Sequence, residues 1–257
     1  MITKRKKFVI SSLLLSIGFI VINTVDIKSR FLGIGILALM TIVLFIWSLW
    51  EGLGLNMTLL VLILPLYFTL GVGFFWFLLP SAVYTWLPVV IIYGIGTYSL
   101  LLTLNIFTVS AIRTIALSRA ARSVGFVLTL FTSFLLFDAV LSLKSSVYIN
   151  FIAFFIISFP LFLQGLWSSL LTKQFNKNIL YFSLVFSYCV SVLSVLLYFW
   201  PVTLIVGSIF LTSMIYVLLG LGQIELENRL FISTLREYLF VGISIFLVMF
   251  LFTNWRL

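Results

Sequence analysis

From Gly52 to Ile112 the chain reads GLGLNMTLLVLILPLYFTLGVGFFWFLLPSAVYTWLPVVIIYGIGTYSLLLTLNIFTVSAI, 61 residues without one Asp, Glu, Lys or Arg. Soluble domains carry charge on about a quarter of their residues, because their outer surface must face water. A stretch this long and this apolar requires an apolar surrounding, and that surrounding is a bilayer. As a single helix it would be ~90 Å long, about three times the ~30 Å hydrocarbon core. It must therefore turn. Pro80 and Pro88 flank the aromatic segment Tyr84-Thr85-Trp86, so the stretch reads as two helices, near 55–79 and 89–109.

The same ruler applies to the rest of the chain. Lys4, Arg5, Lys6 and Lys7 run into an uncharged segment, 8–25, that ends in Asn23-Thr24-Val25-Asp26 and lacks a small-residue cleavage site; it reads as an uncleaved first helix. Further intervals between charges give helices near 31–50, 124–143 (interrupted only by Asp138), 147–171 (with Pro160 inside) and 238–254. Asn178–Ile224, 47 uncharged residues, breaks at Trp200-Pro201 into helices near 179–199 and 202–222. The expectation is an all-α polytopic transmembrane bundle of about nine helices, a single integral membrane domain over residues 1–257. Overall 63% of the residues are hydrophobic and 8% charged, too few charges for a second, soluble domain.

The basic residues test that count. With the N-terminus in the cytoplasm, one face receives Lys4, Arg5, Lys6, Lys7, Arg113, Arg119, Arg122, Lys173, Lys177, Arg229 and Arg236, and the other Lys28, Arg30, Lys144 and Arg256. Eleven against four follows the positive-inside rule, and the C-terminus then falls outside. The net charge of +9 is thus placed by topology and forms no patch with interleaved aromatics, so nucleic acid is not an expected partner. The expected partners are the lipid bilayer, with anionic lipids at the cytoplasmic face, and other membrane subunits. Between the helices, the segment 223–237 reads as helical, with Glu225 and Arg229 spaced as an i,i+4 pair.

Asp138 is the most informative single residue. A carboxylate inside a transmembrane helix costs a few kcal/mol on insertion scales and marks a site or a buried pair. Its expected partners on the same side are Arg30, Lys144 and Arg256, and the expectation is that it faces the bundle interior, towards one of them or a small outward opening. Asn23, Asn105 and Gln164 are the other polar residues within helices; they spread over both halves of the bundle and read as packing bonds. On the seventh helix Ser183, Ser187 and Ser191 recur every four residues. Such a stripe lets another helix approach closely, with the eighth helix the expected partner, and a serine-lined pathway is the alternative.

What is missing also constrains the chemistry. There is no histidine and one cysteine, Cys189, hence no Ser-His dyad, imidazole relay or thiol pair. Six scattered carboxylates make no metal cluster. The glycine pairs Gly33/Gly35, Gly71/Gly73 and Gly94/Gly96 lack the strand and lysine of a phosphate loop. No cofactor, metal or catalytic set is read from the sequence.

The segments Asn105-Ile106-Phe107, Ile112-Arg113-Thr114-Ile115, Arg119-Ala120-Ala121, Val124-Gly125-Phe126, Gly220-Leu221-Gly222 and Arg236-Glu237-Tyr238-Leu239 resemble a domain-of-unknown-function family of polytopic proteins from small-genome bacteria. The resemblance implies a multi-pass protein of the bacterial inner membrane and brings no activity, substrate or catalytic residue. On these grounds the first functional reading is a non-enzymatic scaffold or subunit of a larger complex. The alternative is a small-molecule or lipid transporter, or lipid-handling protein, with an outward polar site around Asp138. A lipid-modifying enzyme needs a convergent polar constellation that the sequence does not display.

Overall fold

Nine α-helices follow one another in a computed structural model that describes residues 3–23, 26–53, 57–79, 83–111, 116–172 and 176–253; the side chains of Asn23, Ile27, Lys28, Met57, Thr58 and Val83 lie outside the description. They are α1 (Lys4–Asn23), α2 (Ile27–Leu49), α3 (Ile63–Trp76), α4 (Val83–Ser110), α5 (Ser118–Ser142), α6 (Val147–Leu170), α7 (Lys177–Tyr198), α8 (Leu204–Leu226) and α9 (Ile232–Leu251). No strand occurs among the described residues. Eight stretches are long and apolar enough to cross a membrane, those of α2 and α4 to α9 and Leu59–Trp76, which joins α3 to the 3₁₀ turn before it; this fits a multi-pass membrane protein. In α1 the four basic residues form the first turn, ahead of the apolar part.

Several helix boundaries differ from the charge-interval reading, each for a local reason. The third helix is α-helical only over Ile63–Trp76 and is entered through a 3₁₀ stretch, Met57–Leu62. Helix α4 starts at Val83 and runs straight through Pro88. A proline near a helix start removes only one amide bond, which a transmembrane segment tolerates. The segment 223–237 is not one helix. Helix α8 continues to Leu226 and then stops in a Schellman turn: Asn228 is left-handed (φ 55), Arg229 N–H bonds Ile224 C=O at 3.0 Å, and Asn228 N–H bonds Glu225 C=O at 2.9 Å. Asparagine tolerates that conformation, which is why it ends helices. Arg229 consequently sits 3.6 Å from the carboxylate of Glu227, and not in the helical pair with Glu225.

The chain divides into two compact units, Met1–Leu128 and Thr129–Leu257, the boundary falling within α5. In both, exposed helix faces are apolar and buried positions are rich in Ser and Thr. Helices surrounded by lipid gain little from hiding apolar surface, so small residues, close packing and interhelical hydrogen bonds must hold them together.

In the first unit α1 packs on α2 and α4, α2 on α3, and α3 on α4. Hydroxyls tie them: Ser11 to Ser48 at 2.8 Å, Thr41 to Thr69 at 3.0 Å, and Thr69 to the Tyr93 hydroxyl at 3.1 Å. Phe19 lies 4.6 Å from the Trp76 ring and 5.0 Å from Tyr93, ring centre to ring centre. Gly96 faces the Phe68 ring so closely that any Cβ there would run into it. At one end the Lys4 ammonium meets Glu51 at 2.7 Å, and Lys7 lies 5.4 Å from the centre of the Trp47 ring. The bond to Lys4, and then its charge, hold the Glu51 carboxyl below its ordinary value of 4.5.

In the second unit α6 and α7 form the most extensive helix pair, and α8 packs on α6, α7 and α9. The Gln223 amide bonds the Gly165 carbonyl of α6 at 2.9 Å. Phe137 on α5 meets Phe154 on α6 at 4.9 Å between ring centres. Trp200, between α7 and α8, donates its indole N–H to Thr253 at 2.9 Å.

Candidate functional site

Asp138 sits one turn before the end of α5, and its carboxyl group is buried, 6% exposed. Its Oδ1 accepts a hydrogen bond from the Ser208 hydroxyl of α8 at 3.1 Å. Within the second unit no cation among the described residues pairs with it. Arg30 belongs to the first unit, where it borders a small crevice with Phe19, Ile34 and Trp76, and Arg256 lies outside the described residues.

Lys144 is placed two residues beyond α5. There the chain turns through a left-handed residue, Lys144 itself, at φ 47. That conformation costs a side-chain-bearing residue about 1–2 kcal/mol. Lys144 borders a cavity of about 200 Å³, open on one side, whose lining includes Asn150, Trp200, Thr203, Leu204 and Gly207. Four local sequence features build it. Ser145-Ser146 precede α6, with Ser146 at its N-cap position, so Asn150 falls in the first turn and its N–H bonds the Ser146 carbonyl at 3.0 Å. Trp200-Pro201 ends α7 and turns the chain into α8. Thr203 precedes α8 but its hydroxyl does not cap that helix, and the first-turn amides of a helix have no acceptor of their own. Gly207, one turn into α8, leaves room: a Cβ there would already approach Leu141 to 3.3 Å.

The polar groups of this cavity are unequal. Asn150 is 4% exposed, and its Oδ1 has no hydrogen-bond partner among the described residues. A buried amide oxygen left so costs about 1–3 kcal/mol. Lys144 and the N-terminal turn of α8 contribute positive charge and donors. The residues named in the lining hold no carboxylate, thiol or imidazole. The arrangement can bind an anionic or amphipathic group; it has no nucleophile paired with a base.

The serines of α7 are all buried, and each bonds its own helix: Ser183 to the Ile179 carbonyl, Ser187 to that of Ser183, Ser191 to that of Ser187. Helix α7 packs more extensively on α6 than on α8, the partner expected from the sequence. Gln164 is buried with its Oε1 unpartnered among the described residues, as are the hydroxyls of Ser158 and Thr212. The side chain of Asn23 lies outside the description, and Asn105 is half-buried in α4.

Charge-interval reading passes over Asn150, because a neutral amide does not interrupt an apolar run. Its only sequence signal is an amide six residues after Lys144, just inside a helix that follows Ser145-Ser146. Comparison of the chain with protein-family models, with curated proteins and with solved structures finds no match.

Proposed function

We propose that this multi-pass protein is a lipid-handling protein, holding a small amphipathic molecule of the membrane in the cavity between the α5–α6 turn and the start of α8. The observation that carries the reading is the open cavity of about 200 Å³ whose lining brings Lys144, Asn150, Trp200 and Thr203 together beside the start of α8. A scaffold has no need of such a void, and close packing would have filled it. Asp138 then supports the site from behind, bonded to Ser208 next to the lining residue Gly207. The positive-inside bias of the sequence supports an outer-side position for this end of the bundle in a bacterial inner membrane, with anionic lipids against the basic residues on the other face.

The reading is tested by filling the cavity. Gly207→Leu adds a side chain among Leu141, Leu197 and Val202, the atoms nearest a Cβ at that position. Native mass spectrometry of the full chain released from mild detergent should show one retained small amphipathic molecule in wild type and none in Gly207→Leu, with helix content at the wild-type level and a melting temperature lowered by the crowding against Leu141. Equal occupancy in both proteins would overturn the proposal. A second reading, a subunit of a larger membrane complex, draws on α9. That helix is exposed along nearly its whole length, with only Met249 buried, and such a face suits a neighbouring helix as well as lipid.

A further inference from the structure

We infer that the groove between α1 and α4 seats an acyl chain of an anionic phospholipid whose headgroup meets Arg5 and Lys6. The site belongs to the first unit and does not depend on the lipid-handling reading. Its shape and its charge come from different residues, and both select this occupant.

The groove has a volume of about 450 Å³, and its lining includes Val9, Ser12, Leu13 and Ser16 of α1 with Gly94 and Tyr98 of α4. Small residues keep the two helices close beneath it: a Cβ on Gly94 would come within 2.7 Å of the Ser16 hydroxyl. Both serine hydroxyls are engaged by their own helix, Ser12 with the Val9 carbonyl at 3.0 Å and Ser16 with that of Ser12 at 2.9 Å. The floor therefore suits hydrocarbon, since a polar solute would leave water-bound groups there without partners. Leu13, Ile91 and Ile95 at its rim are strongly exposed, which opens the groove along its side.

Arg5 and Lys6 stand at one end of it. At 3.6 residues per turn, Arg5 falls on the α1 face of Val9, Ser12 and Ser16, and Lys6 on that of Leu13. Helical side chains lean towards the helix N-terminus, so both cations reach away from the apolar part, to the level of lipid phosphates. The other cations of this turn are occupied, Lys4 by Glu51 and Lys7 by the Trp47 ring. Arg5 and Lys6 are exposed and pair with no carboxylate among the described residues. Helix α4 runs antiparallel to α1, because Ser16 meets Gly94 while Phe19 meets Tyr93. Asn105 lies eleven residues after Gly94, as Arg5 lies eleven before Ser16, so the two share a level. Its half-buried amide, on the α4 face of Gly94 and Tyr98, adds a donor for phosphate or glycerol oxygens.

A second copy fits this charge badly. Copies in one membrane share an orientation, so a two-fold contact along the groove would set Arg5 and Lys6 of both chains against each other. An anionic headgroup neutralises them instead.

Detergent would replace a lipid in so open a groove, so the experiment is made in a bilayer. The full chain enters phosphatidylcholine nanodiscs holding a small, equal amount of phosphatidylglycerol or phosphatidylcholine with a photoactivatable diazirine in the acyl chain. After irradiation, peptide mass spectrometry locates the label. One cation beside an anionic headgroup contributes about fivefold, so the phosphatidylglycerol probe should label residues 9–16 and 90–98 roughly 25-fold more than the phosphatidylcholine probe. Arg5→Gln should reduce that preference about fivefold, and Arg5→Gln with Lys6→Gln should remove it, whereas Arg5→Lys should keep most of it. Lys177→Gln, at an exposed cation that starts α7, should leave it unchanged. Equal labelling by the two probes, or an equal loss in Lys177→Gln, would overturn recognition of an anionic headgroup. A preference confined to peptides of α6 to α8 would overturn the site. An unlabelled groove whose Val9→Cys variant crosslinks chains in pairs would make a second copy the occupant and overturn the inference.

Discussion

The two units of the chain differ in how their buried hydroxyls reach between helices. In the first, hydroxyls meet hydroxyls across helices: Ser11 with Ser48, and Thr41 with Thr69 and Tyr93. Each of these bonds is a fastening between two helices, whereas Ser12, Thr97 and Thr108 of the same unit bond their own helix and the Ser110 hydroxyl is buried without a partner among the described residues. In the second, the α7 serines turn back onto their own helix, while Asn150, Ser158, Gln164 and Thr212 each keep a buried atom without a partner among the described residues. Asp138 is buried in the same unit with one hydroxyl as its partner. Where water is excluded, a satisfied polar group stabilises and an unsatisfied one destabilises. Hydroxyl-to-hydroxyl bonds between helices thus belong to the first unit, while the second ties its elements through Ser208 to Asp138, Gln223 to Gly165 and Trp200 to Thr253 and holds more of the unpartnered buried atoms.

Four substitutions can break or sharpen that contrast. The largest effect should come from Ser187→Leu. Ser187 is fully buried on α7, and the added volume should destabilise the protein by about 1–3 kcal/mol through overpacking. An unchanged melting temperature in detergent would show that the stripe is not tightly packed. A matched pair comes next. Thr41→Val in the first unit removes a hydroxyl that joins two helices and should cost about 0.6–1.7 kcal/mol, the range for interhelical bonds in membranes. Ser158→Ala in the second unit removes a hydroxyl without a partner among the described residues and should cost close to nothing. Equal losses from both, measured by denaturant unfolding in mixed micelles, would erase the distinction between the units.

The smallest effect concerns Lys4 and Glu51, a solvent-exposed pair. Lys4 depresses the Glu51 carboxyl below 4.5, so folding is favoured while that carboxylate is ionised. The contribution is present above 4.5 and is lost as pH falls through the lowered value. Glu51→Gln should remove this part of the acid dependence of the melting temperature and leave the neutral-pH value almost unchanged, since exposed pairs contribute little. A large neutral-pH loss would mean the pair fastens α1 to α2.

Much of the architecture was legible because lipid imposes a simple rule on sequence. A span must be long, apolar and hydrogen-bonded within itself, so Gly52–Ile112 had to be two helices and Asn178–Ile224 two more. Trp200-Pro201 marked a real turn for the same reason. Pro88 misled because a proline early in a helix forfeits only one amide bond, and α4 absorbs it. The interval 223–237 misled because its periodicity is helical, whereas one left-handed residue, Asn228, ends α8 and changes the partner of Arg229.

Sequence alone determined the all-helical class, the helix number and the apolar surroundings, since each follows from residues added up along the chain. It also singled out Asp138 and Lys144, because charge within or beside a span is conspicuous by type. Only the tertiary structure decided what those residues meet. Asp138 accepts from Ser208, seventy residues away, and Lys144 stands at a cavity with Asn150, Trp200 and Thr203. Those partners come from three separate segments around α5, α6 and α8, and neither hydropathy nor helical periodicity records which turns of different helices lie side by side. That is set by how the small and large side chains of the second unit pack.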